Sequence, residues 1–147
     1  MSANGFVTEM TALLTRTPEV LRVLLAGLPE AWTDTPDATD GWRPRDVVGH
    51  LITGEEADWI PRTRRILEQG TSVPFDRFDR FAMLERDAGI PLDDLVERFA
   101  VLRRANLAAL GQLELPQPDC YVAGRHSITI LNTQIFGLPS PPRGEGS

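Results

Sequence analysis

Apolar residues in this chain recur at intervals of three and four, and no segment sustains the strict alternation of a half-buried strand. That periodicity restricts the fold more than any other feature, because a pattern of 3.6 and a pattern of 2 place side chains on incompatible faces. Phe6, Met10, Leu13 and Leu14 carry it first, followed by Val20, Leu21, Leu24, Leu25 and Leu28. The spacing predicts one helix over 5–28, with a break or kink at 16–18, where Thr17-Pro18 resembles an N-cap followed by proline at a first helical position. Two prolines, Pro29 and Pro36, and acidic turn residues make 29–43 a loop. A second helix is predicted over 44–69, started by Pro44 and by Asp46 at its positive end, with Val47, Val48, Leu51, Ile52, Trp59 and Ile66 along one arc. Pro61 removes the donor for the Ala57 carbonyl and should bend it. Residues 71–90 are polar and carry Phe75, Phe78 and Phe81, as expected of a loop with a short helical turn packed on a bundle. A third helix is expected over 91–112, entered through Pro91, Asp93 and Asp94, with Leu95, Phe99, Leu102, Asn106 and Leu110 on one side.

The fold class is therefore all-α, with antiparallel helices in one domain, since 147 residues are of single-domain size. After Leu115 the pattern changes. "PQPDCYVAGRH" reads as a loop, "SITILNTQIF" is short and β-branched, and "GLPSPPRGEGS" lacks core formers and should be irregular. The domain division is 1–126 for the helical unit and 127–147 for an atypical, disordered tail. A net charge of −6 lacks the basic footprint of a nucleic-acid binder, and a DNA-binding helix-turn-helix is disfavoured on that ground. No run of about 18 apolar residues is present to span a membrane. The start "MSANGFVTEM" has no signal-peptide pattern, and a single cysteine, Cys120, leaves no internal disulfide. Both suit a reducing, cytoplasmic setting.

The stretch "GWRPRDVVGHLITGEEADWIP" holds the one chemically distinctive residue of the helical region, His50. Its pattern W-x-P-x-x-V-x-x-H-L runs from Trp42 to Leu51, with Glu55 and Trp59 behind it. Together with "TPEVLRVLLAGLPEAW", "PFDRFDRF", "LDDLVERFAVLRRANLAAL" and "AGRH", it resembles the DinB-like (YfiT-like) superfamily over residues 5 to about 126. The resemblance implies an antiparallel four-helix bundle. It also implies a divalent metal, nickel or zinc, held by three histidines: one from the second helix and an H-x-x-x-H pair from the fourth. Relatives implied by it are metal-dependent transferases and hydrolases, some using a low-molecular-weight thiol.

His50 matches the second-helix ligand. The chain departs from the family pattern at Ser127, and no H-x-x-x-H pair occurs anywhere in it. The loss of pattern points to a truncated or frameshifted reading frame, leaving three long helices of the bundle. Secondary ligand candidates are Glu55 and His126. Glu55 lies at i+5, about 140° round the helix from His50. His126 sits beside Arg125, whose charge disfavours a cation. Glu56 and Asp58 read as solvated acids, with Arg62 a surface partner of Asp58 at i+4. Trp42 and Trp59 read as packing residues. A catalytic zinc-type centre keeps three protein ligands and an open position, so one imidazole leaves the site incomplete and the chain inactive as a transferase. Loss of a fourth helix would also uncover an apolar groove, on the order of 10–20 kcal/mol of gross burial, suited to a second copy of the chain. Two function classes follow: a metal-dependent transferase or hydrolase, and a non-catalytic helical interaction module or self-associating remnant.

Overall fold

The computed structural model describes residues 3–36, 39, 41–70 and 74–113. His126, Cys120 and the atypical segment 127–147 lie outside the described residues. Six helices occur among those described, and no strand. The first, α1 (Ala3–Leu25), runs unbroken through Pro18. This corrects the expected break. Proline leaves the Leu14 carbonyl without its i+4 donor, but Pro18 is buried and Leu21 and Leu25 beyond it pack on the core. Tertiary packing thus outweighs one missing hydrogen bond, and Thr17 lies inside the helix instead of capping a new one. Gly27, at φ +71°, turns the chain out of α1 in a conformation that residues with a Cβ adopt at a cost.

One short turn, α2 (Glu30–Thr33), interrupts the expected loop. Pro44 then opens α3 (Pro44–Ala57). The Asp46 carboxylate accepts the Arg43 backbone N–H at 3.0 Å and the Arg43 guanidinium at 2.8 and 2.7 Å, closing the helix start as the sequence anticipates. The expected bend at Pro61 is instead a full interruption. Asp58 leaves helical geometry (φ −108°, ψ −88°), and α4 (Trp59–Gln69) continues in a separate helix. After residues 74–79, which have no regular structure, comes α5 (Ala82–Arg86), the short turn predicted within 71–90. The last described helix is α6 (Leu92–Leu110), entered through Pro91 with Asp93 and Asp94 in its first turn.

The core lies between α3 and α6. Val48 and Ile52 meet Leu95, Val96 and Phe99, with Leu21 and Leu25 of α1 against them. Arg45 donates to the Ile90 carbonyl and Arg103 to Glu55, so α3 and α6 run in the same direction, joined by a long crossover. Arg22, late in α1, bonds Glu97, early in α6, at 2.7 Å, so α1 runs against α6. Both α1 and α3 pack chiefly on α6. On α1 only part of the predicted apolar face is covered: Leu21 and Leu25 are packed, whereas Val20 and Leu24 are exposed. Among the described residues no helix is long and apolar enough to cross a membrane.

Candidate functional site at His50

His50 projects from the middle of α3 into an aromatic surround. The Trp42 ring lies 4.7 Å from the imidazole and the Phe78 ring 5.5 Å, edge-on; Phe81 stands 6.2 Å beyond Trp42. Trp42 precedes α3 and Phe78 belongs to the crossover, so the histidine pins two connecting segments to the helix. Its Nδ1 is buried without a hydrogen-bond partner among the described residues. Burial holds the imidazole below its ordinary value of 6.5, and the nearby Arg80 charge acts the same way. A hydrogen bond to the Arg80 backbone opposes them in part.

Arg62 extends the same surface. Its guanidinium lies 5.0 Å from the Phe75 ring centre and 5.9 Å from that of Phe78, a cation–π arrangement. It stands 2.6 Å from Asp58 Oδ1, and both side chains are only 14% exposed, so the pair is not the solvated one expected from sequence. The contact is close but not aligned as a hydrogen bond, and Asp58 Oδ1 has no hydrogen-bond partner among the described residues. Burial raises the Asp58 carboxyl, with Arg62 working against the rise.

Glu55 takes a different environment. It is 3% exposed and faces α6. One oxygen accepts from Arg103 Nε at 2.8 Å and Nη2 at 2.6 Å; the other accepts from Trp59 Nε1 at 3.0 Å and Asn106 Nδ2 at 2.9 Å. Asn106 also donates to the Glu55 backbone carbonyl at 2.7 Å. Arg103 is covered by the Trp59 and Phe99 rings. Four N–H groups thus occupy this carboxylate, and none of its partners is a partner of His50. The grouping was not anticipated, although a signal existed. Glu55 falls between Ile52 and Trp59 on the apolar arc, and Asn106 falls on the apolar side of α6. Acids and amides in such positions require partners.

A second unanticipated cluster docks α5 on α3. Arg86 donates to Asp87, to Thr53 Oγ1 at 3.0 Å, to the Gly49 carbonyl at 2.9 Å and to Glu56 at 3.1 Å. Arg98 of α6 reaches Glu56 at 2.6 Å. Glu56 is therefore paired and not simply solvated.

The sequence pattern of the DinB superfamily matches residues 13–131. The chain belongs to the DinB superfamily. No curated protein matches it. The matched span of this DinB-superfamily chain contains α2 to α6 and most of α1, so His50 and its aromatic neighbours lie on family elements. A three-ligand nickel or zinc centre requires three converging donor side chains. Among the described residues no three His, Cys, Asp or Glu side chains converge. His50 offers one buried nitrogen lone pair, and Glu55 is saturated by N–H donors. The described residues therefore do not fit such a centre.

Proposed function

We propose that this DinB-superfamily chain is a non-catalytic helical module, in which the position of a metal ligand persists as His50 without the ligand set of a thiol-dependent transferase or hydrolase. The observation that carries the reading is the commitment of Glu55. Glu55 is locked onto Arg103, Trp59 and Asn106, and Asp46, the other buried acid of the His50 helix, onto Arg43, so among the described residues neither buried acid of that helix joins His50 on an ion. One neutral imidazole does not hold a divalent metal against water, and without the ion no thiol or water is activated at this position. Such a module suits the cytoplasmic setting expected from the sequence.

A second reading rests on the unpartnered Nδ1 of His50. A buried imidazole nitrogen in an aromatic surround is the form a ligand takes before its ion arrives, and His126 or a second chain would then complete a transferase site. Titration of the full chain with nickel and with zinc by calorimetry separates the two. The expected result is no sub-micromolar binding that depends on His50. Tight binding that vanishes in His50→Ala overturns the non-catalytic reading in favour of the second.

A further inference from the structure

On α1 the residues turned away from the bundle are apolar as well. Leu21 and Leu25 pack on the core, whereas Leu13 is 61% exposed, Val20 52%, Val23 73% and Leu24 62%. At about 100° per residue, Leu13, Val20 and Leu24 fall within about 40° of one another, and Val23 stands about 60° to one side of Val20. Large apolar side chains this exposed along one helix form a patch on the order of 400 Å², a size at which surface patches serve binding. We propose that the patch is a self-association surface and that its occupant is α1 of a second copy, laid antiparallel across it.

Register, charge and size single out a second copy. In a two-fold antiparallel pair each residue meets its counterpart across one centre, and every contact is made twice. Centred on Pro18, the pairing sets Leu13 opposite the partner's Val23, Arg16 opposite the partner's Val20, and Leu24 opposite the partner's Ala12. The stripe then covers itself from end to end. Arg16 falls between Val20 and Val23 on the wheel and Glu19 on the flank beyond Val23, and both are exposed. In this register Arg16 lies one residue, about 1.5 Å along the axis, from the partner's Glu19. An antiparallel pair turns the same flank of both helices together, so two reciprocal ion pairs form on one side. A parallel pair would instead set Arg16 level with the partner's Arg16. The smallest specific interfaces bury about 1,200 Å² in total. Two such patches with their flanking charged residues reach that lower bound, which suits a reversible dimer. Pairing through α1 uses no group of the His50 surround, so it holds whether or not an ion binds there.

Sedimentation of the full chain from low micromolar to several hundred micromolar concentration reads the assembly, with circular dichroism as the check on folding. Wild type is expected to pass from monomer to dimer in that range. Val20→Glu, at an exposed position, is expected to stay monomeric with an unchanged helical signal. The charge pair tests the partner and the register together. Arg16→Glu and Glu19→Arg each set like charges across the pair, and each alone should dimerise about ten-fold more weakly. Mixed in equal amounts, the two variants should form a heterodimer at least as strong as the wild-type dimer, because acids of one chain then meet arginines of the other. A wild type that is monomeric throughout would overturn the proposal and leave the stripe to a different occupant. A dimer that Val20→Glu leaves intact would overturn it by placing the interface elsewhere. A mixture no stronger than its components would overturn the antiparallel pairing.

Discussion

Glu55 and Arg103 form the most consequential pair in the molecule, because each is a charge removed from water. Such a pair adds little over an apolar replacement, but removing one member leaves the other unpaired in the interior. Arg103 already has one nitrogen, Nη1, buried without a partner among the described residues, so it tolerates further loss poorly. Glu55→Ala is expected to destabilise the fold by about 3–5 kcal/mol. Glu55→Leu combined with Arg103→Met should cost clearly less than either single change in urea unfolding. Additive losses would contradict this coupling. His50 provides a pH signature. Burial lowers its pKa in the folded protein, so the unfolded chain takes up the proton first as pH falls. Its contribution is therefore intact above the unfolded value near 6.5, declines below it, and is fully lost at the folded pKa. In chelator-treated buffer, stability should fall between pH 7 and 5 more steeply in wild type than in His50→Leu. Asp58, whose carboxyl is raised by burial, contributes with the opposite sign and is common to both proteins.

At the scale of elements, two glycines of α3 make opposed predictions. A Cβ on Gly49 would stand 2.6 Å from Asp87 Oδ2 and 2.8 Å from Met83 Cβ, so the glycine is what lets α5 approach. Gly49→Ala should cost about 1–3 kcal/mol by overpacking. Gly54 has nothing within 4 Å of a Cβ, and its conformation is helical. Gly54→Ala should therefore stabilise the protein by about 0.5–1 kcal/mol. Thermal unfolding of the two variants checks both signs. The long helices themselves were legible in the sequence, since Pro44 and Pro91 mark their starts and Val48, Ile52, Leu95 and Phe99 recur at helical spacing. Pro18 was not, because its local penalty is outweighed by the contacts of Leu21 and Leu25 with a core built from α3 and α6, far along the sequence. The Pro61 break was legible in place but not in extent. The His50 surround was half legible. Trp42 lies in the motif, whereas Phe78 arrives through a crossover whose path no local pattern records. Glu55 enters as a candidate ligand through the family resemblance, although it stands about 140° round the helix from His50; its partners on α6 are recorded in no local pattern.

For the whole molecule, the direction of the helices carries most of the information. Equal direction of α3 and α6 requires the crossover, and the crossover brings Phe75 and Phe78 over Arg62 and His50. The acidic net charge of −6 coexists with arginines drawn inward onto Glu55, Glu56 and Asp87. Charge counted from composition therefore says little about where cations sit.

The placement of α6 between the two earlier long helices has a consequence for the chain while it is being made. Both α1 and α3 bury their apolar residues mainly against a helix synthesised after them. At about 5–20 residues per second, several seconds separate the completion of α3 from that of α6, and throughout them Val48, Ile52, Leu21 and Leu25 lack their main partner. Ribosome-bound chains arrested before Leu95 has left the exit tunnel should be cut readily by protease, and chains arrested after Asn106 has emerged should resist. Resistance already present in the shorter chains would show that α1 and α3 find each other first. Otherwise birth order makes the nascent protein a client of chaperones until its last described helix appears.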